Sequence, residues 1–203
     1  MRQVELTRRS VLTGTAALIF SPVAAQEKKA RSAAALISAA RAQVGVTLGY
    51  DPAYVRLPFP GGDVDPATGV CTDVVVRAYR SAFGLDLQAL VHADMRSAFS
   101  AYPSRWGLSR PDPNIDHRRV PNLQVFFTRQ RAKLAQPSAP SDWRPGDIFT
   151  SLIAGRRPHI GIVSDRSENG QPLIIHNIGF GAREEDALTA HQITGRYRWA
   201  LEG

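Results

Sequence analysis

Gly69-Val70-Cys71-Thr72-Asp73-Val74-Val75-Val76-Arg77-Ala78-Tyr79 holds the only cysteine in a chain of 203 residues. A glycine and a turn-like segment precede Cys71. Val74, Val75, Ala78, Tyr79 and Ala82 follow at helical spacing. The thiol therefore falls at or just before the first turn of a helix, where unpaired backbone N–H groups and the positive end of the helix dipole favour thiolate over thiol. Two histidines stand downstream in strand-like contexts, Pro158-His159-Ile160-Gly161-Ile162-Val163 and Leu173-Ile174-Ile175-His176-Asn177. The rest of the chain is read as the frame that brings these histidines to the thiol.

Working outward, Lys28 to Val44 is alanine-rich with Ala33, Leu36, Ile37, Ala40 and Val44 on one face, an amphipathic helix. Residues 45–70 are rich in Gly, Pro and Asp and read as an irregular connection, whose Tyr50, Tyr54 and Phe59 fit either a cleft lining or a satellite of the core. The Cys71 helix runs to about Phe83 and stops at Gly84. Asp86 caps a second helix through Leu87, Leu90, Val91, Met95 and Phe99. Trp106 to Pro121 is a proline-broken loop. Pro121 opens a third helix, with Leu123, Phe126, Phe127 and Leu134 at helical spacing. After a Pro/Ser/Ala joint at Gln136–Asp142, strands are expected at Asp147–Ile153, His159–Ser164, Pro172–Ile178 and Ile193–Ala200, with a turn at Glu168-Asn169-Gly170. Helices first and a small antiparallel sheet second define an α+β domain over residues 26–203.

The first 25 residues read as a twin-arginine signal peptide. Thr7-Arg8-Arg9-Ser10-Val11-Leu12 is followed by a short apolar run to Phe20 and by Val23-Ala24-Ala25. The run is too short for a stable membrane span, so the expected address is periplasmic or cell-envelope, with no membrane span after processing. The chain is basic, +7 at pH 7. That suits an anionic polymer such as the cell wall. No basic run interleaves with aromatics, which argues against nucleic acid. A lone cysteine in an exported domain forms no internal disulfide; it is either a small buried hydrophobe or a nucleophile.

For a nucleophile, His159 fits the imidazole that activates the thiol and later protonates the leaving amine. His176 fits the group that orients it, provided a hairpin turning near Asn169 pairs the two strands. Asn177 adjoins His176, but strand alternation sends the two side chains to opposite faces. The N–H of Cys71 suits an oxyanion donor. Zinc held by His117, His159, His176 and Cys71 is a rival reading that lacks a close-spaced ligand pair, and the hydrolase reading needs no cofactor and no metal. Asp116-His117-Arg118-Arg119 reads either as a solvated polar loop or as a substrate-binding segment whose Arg118 or Arg119 grips a carboxylate, with His117 at the cleft.

The order Cys, His, His resembles the NlpC/p60 superfamily of papain-like cell-wall peptidases. The nucleophile opens a helix at Cys71, a Pro145-Gly146-Asp147 turn precedes the first strand, His159 opens the next strand and His176 closes the one after. A closer resemblance is to the bacterial domain-of-unknown-function family 1287. It is carried by Gly69-Val70-Cys71-Thr72-Asp73-Val74-Val75, Asn114-Ile115-Asp116-His117-Arg118-Arg119-Val120-Pro121-Asn122-Leu123, His159-Ile160-Gly161-Ile162-Val163-Ser164-Asp165 and Ile175-His176-Asn177-Ile178-Gly179, and covers roughly Ala42 to Trp199. The Asp-Cys-Ser-Gly core usual in NlpC/p60 proteins is Val70-Cys71-Thr72-Asp73 here. The resemblance implies a papain-like fold and an exported cysteine peptidase or amidase acting on peptidoglycan stem peptides or another amide or ester. The competing expectation is a non-catalytic cell-wall binding or accessory protein on the same fold.

Overall fold

The computed structural model describes residues 31–202. The signal peptide expected at 1–25, and the first residues of the helix expected from Lys28, lie outside them. The described chain is α+β: helices α1 (Ala33–Arg41), α2 (Cys71–Phe83), α3 (Leu87–Ser97) and α4 (Val120–Arg129), then strands β1 (Lys133–Leu134), β2 (Ile148–Ile153), β3 (Arg157–Glu168), β4 (Gln171–Asn177), β5 (Ala182–Glu185) and β6 (Gln192–Tyr197). The six strands form one antiparallel sheet in the order β1-β6-β2-β3-β4-β5. No helix among the described residues is long and apolar enough to cross a membrane.

Helix α2 is central because most of its first two turns is buried. Residues 71–76, Ala78 and Tyr79 are all buried. They pack against Leu36, Ile37 and Ala40 of α1 and against Ile160, Ile162 and Ile175 of the sheet, in one core that also takes in Leu123, Phe126 and Phe127 of α4. The far end is closed by aromatics. Tyr79 donates to the Trp199 carbonyl at 3.1 Å, and its ring lies 5.0 Å from that of Trp199. Gly84, in the left-handed region at φ 66°, ends the helix and returns its N–H to Arg80. A second, smaller cluster of Trp143, Phe149, Val163, Ile174 and Leu188 covers the other face of the sheet.

Element bounds depart from the sequence reading where local pattern and tertiary pairing compete. Leu134 continues the apolar spacing of α4, but the helix ends at Arg129. Leu134 instead pairs with Arg196 in the two-residue edge strand β1. Phe99 belongs to a separate 3₁₀ turn rather than to α3. Strand β5 has no counterpart in the sequence reading.

The β3–β4 hairpin turns at Asn169 and Gly170, whose φ values of 49° and 76° supply the two positive-φ residues that match a tight hairpin to strand twist. Ile162 pairs with Ile175 and Val163 with Ile174. Gly161 therefore stands beside His176. A Cβ there would meet Phe149 Cε1 at 2.6 Å, the Ile175 carbonyl at 2.8 Å and His176 Cβ at 2.9 Å. The missing side chain leaves room for the Phe149 ring and the base of the His176 side chain. Gly161→Ala should destabilise the fold by about 1–3 kcal/mol, the usual cost of overpacking a filled site. This would be read as a lower urea midpoint at unchanged slope.

Candidate active site

Cys71 is the first residue of α2 and is 3 % exposed. The helix starts here because Asp73, two residues on, turns its carboxylate back to accept the Val70 N–H at 2.6 Å. The same carboxylate receives two parallel bonds from the Arg118 guanidinium, Nε to Oδ1 and Nη2 to Oδ2, both at 3.0 Å. Arg118 further donates to the carbonyls of Ala53 and Asp51 at 3.1 Å, and the Thr72 hydroxyl donates to the Arg118 carbonyl at 3.1 Å. Helix start, polar loop and the segment after Tyr50 are thereby tied at one point.

His159 and His176 lie on one face of the hairpin, as the pairing near Asn169 requires. His159 Nε2 and His176 Nδ1 are 2.8 Å apart, and His176 Nε2 lies 2.9 Å from Glu185 Oε1. Glu185 reaches His176 diagonally, since His176 faces Arg183 on the neighbouring strand and Glu185 is two residues further along the same face. The network fixes the tautomers. The carboxylate accepts from His176 Nε2–H, so His176 Nδ1 accepts from His159 Nε2–H, and the lone pair of His159 is left on Nδ1. Burial holds both rings neutral, pushing His159 down to about 3, with the neighbouring His176 adding to the effect, and lowering His176 as well.

Asn177 points to the opposite face and donates to the carbonyls of Gly49 and Gly69 at 3.0 Å. One turn of the strand pleat thus sends His176 to orient His159 and Asn177 to fasten the loop that delivers Cys71. The sulfur lies at the backbone of β3, where the N–H of Ile160, the residue after His159, favours the thiolate together with the amides of Thr72 and Cys71. Burial outweighs them and pushes the thiol up to about 12, with Asp73 adding to the rise. The expectation of a thiol acidified by the helix start is corrected on this point, because the low-dielectric surroundings exceed the gain from the helix end. Tyr50 stands by the thiol. Burial, the Cys71 sulfur and Asp73 push its phenol up to about 12.

The Asp116–Arg119 segment is also corrected. It forms a 3₁₀ turn, Asp116–Arg118, that is buried rather than solvated or open to a substrate. Arg118 is committed to Asp73. Arg119 bonds Asp116 at 3.2 Å and lies over the Trp106 ring at 4.1 Å. Asp116 accepts the Asp112 N–H at 2.5 Å, and burial raises its pKa. His117 is buried and neutral, pushed down to about 4 by desolvation, and its Nδ1 has no partner among the described residues. Every nitrogen of the Arg118 guanidinium is engaged, and Arg119 is paired with Asp116. The segment instead braces the Cys71 helix. Among the described residues no group of three His, Cys, Asp or Glu side chains is placed to hold a metal ion.

The fold and site define an α+β protein with a buried cysteine at a helix start and a His–His–Glu hydrogen-bond chain on the sheet against which that helix packs. The chain belongs to the DUF1287 family, a domain of unknown function whose model matches residues 37–199. It is 51 % identical over 169 residues to the uncharacterized protein YijF of Escherichia coli (strain K12), covering 83 % of this chain and 82 % of that protein.

Glu185 escaped the sequence reading because Ala182-Arg183-Glu184-Glu185 looks like a solvated charge run. Its one signal is that a strand there would alternate Arg183 and Glu185 on one face. Asp73 was legible as a residue two places beyond the cysteine, but its burial was not.

Two outcomes follow for this geometry. Arg118→Met should cost about 3–5 kcal/mol by leaving Asp73 buried and unpaired, and Asp73→Asn with Arg118→Met should recover part of that loss in urea melts. The thiolate fraction of a thiol with a pKa near 12 rises about tenfold per pH unit below that value. Alkylation of Cys71 in the free protein should therefore keep accelerating from pH 6 to 10, and a plateau near pH 7 would show a thiolate–imidazolium pair instead.

Proposed function

We propose that this protein is an exported cysteine hydrolase of papain-like, NlpC/p60-type arrangement that cleaves an amide bond in peptidoglycan stem peptides. The observation that carries the reading is the His159–His176–Glu185 hydrogen-bond chain on the sheet against which the helix that begins with Cys71 packs. It leaves His159 with a lone pair on Nδ1 and a fixed ring, which is what a general base needs. His159 takes the Cys71 proton as the sulfur attacks the scissile carbonyl, and returns it to the departing amine. Water then releases the acyl group from sulfur with His159 again as base. The Cys71 N–H at the helix start serves the oxyanion. The twin-arginine segment and the basic charge support an envelope address and an anionic polymer.

The burial of Cys71 favours a second reading, a cell-wall binding protein whose thiol is inert. A digest of purified peptidoglycan by residues 26–203, analysed by mass spectrometry beside Cys71→Ala, separates them. New fragments from the unmodified protein alone are expected, and their masses name the bond. Equal digests together with retained wall binding would favour the binding protein. For the hydrolase, His159→Ala should slow turnover by about 10²–10⁴. Glu185→Gln should slow it by about 10–100, as for a residue acting through others. It should also move the acid limb of the pH–rate profile to lower pH, because the imidazolium loses its stabilising carboxylate.

A further inference from the structure

With Arg118 and Arg119 committed to the fold, the charge facing a substrate comes from elsewhere. Arg157 opens β3 two residues before His159, so it stands on the His159 face of that strand. Arg183 is the direct cross-strand partner of His176, on the other flank of the histidine pair. Both are exposed. Most of the arginines near the site are compensated: Arg41 pairs with Glu184, Arg77 with Asp63 and Arg118 with Asp73. Arg157 and Arg183 pair with no carboxylate among the described residues.

Three of the nearby acids are already engaged. Glu185 receives His176, Asp73 receives Arg118, and Glu184 receives Arg41 and Arg166. Arg183 is held over the Phe180 ring at 5.5 Å, which steadies the guanidinium while leaving its donors free. Arg157 lies near enough to Tyr50, the residue beside the thiol, for its charge to act on the phenol. Two uncompensated guanidiniums thus flank the His159–His176 pair along β3 and across β4–β5, and the charge of Arg157 also reaches Tyr50 beside the thiol.

We propose that Arg157 and Arg183 form a rim that selects substrates carrying a carboxylate beside the bond attacked by Cys71. The proposal rests on Cys71 being the nucleophile. A guanidinium suits this role because its forked donors match a carboxylate in two bonds. The exposed setting leaves the pair screened in the free protein and strengthened when a substrate displaces water.

The chain has a single cysteine, so alkylation reads the site without a known substrate. Second-order rates with iodoacetate and with iodoacetamide are measured at low salt for the mature protein and for N-acetylcysteine. The acetate-to-amide ratio should be higher at Cys71 than at the free thiol. It should fall by a factor on the order of two to three in Arg157→Gln and again in Arg183→Gln, the scale of one charge–charge interaction in water. Salt near 0.5 M should shrink the preference. A ratio no higher than that of the free thiol, or one unchanged in both variants, overturns the rim. If neither reagent modifies native Cys71 while both modify it in urea, the nucleophile reading itself fails and the rim with it. Urea midpoints of the two variants confirm that the fold is retained.

Discussion

The Asp73–Arg118 pair is the constraint on which the site depends. Both side chains are nearly excluded from water, 3 % and 2 % exposed. Two charges so placed are tolerated only when their geometry is good and their remaining hydrogen-bonding capacity is satisfied. Both conditions hold. The carboxylate also takes the Val70 N–H, and the guanidinium also serves two carbonyls at Asp51 and Ala53. One pair therefore fixes three segments distant in sequence: the start of α2, the turn at Asp116–Arg118 and the strap after Tyr50. A hydrophobic pair of similar volume would fill the space but would not set the angle at which the helix presents its first residue.

The sheet supplies the second half of the positioning by simple alternation. Ile175 and Asn177 face the helices while Ile174 and His176 face the other side. Asn177 is fully buried and makes its bonds to two loop carbonyls, one of which, Gly69, also accepts the Asp51 N–H. A one-residue slip of the β3–β4 register would exchange these roles and break both connections. The Asn169-Gly170 turn and the close fit at Gly161 oppose that slip, so the registration of the histidines is set by backbone geometry more than by the histidines themselves.

What was legible in the sequence was whatever a short pattern decides. The Cys71 helix and its glycine stop, the α+β order, and the hairpin that joins His159 to His176 all follow from periodicity and turn chemistry within a dozen residues. What was not legible depended on tertiary partners. Asp116-His117-Arg118-Arg119 has the composition of a solvated loop, and only Asp73, 45 positions before Arg118, makes its burial sensible. Leu134 keeps helical spacing but is claimed by β6. Glu185 becomes intelligible only when β5 is laid against β4. The acidity of Cys71 failed for a related reason. Proximity to a helix start is a local property, whereas desolvation is set by everything packed around the sulfur.

That desolvation also explains why a chain of two imidazoles is suited to the proposed chemistry. An imidazolium at His159 alone would be a buried charge far from any carboxylate. In the tautomers that the network sets, a proton arriving at His159 Nδ1 would allow the Nε2 proton to shift to His176 Nδ1, whose own Nε2–H is shared with Glu185. The positive charge would then reside next to a carboxylate that is partly open to water, while His159 returns to neutral. The penalty that keeps the thiol and both rings uncharged at rest is reduced in the one state where charge must appear. In the proposed hydrolase the second histidine would be a conduit for charge as well as a positioning group, a role for which an asparagine in the same place would lack the second nitrogen.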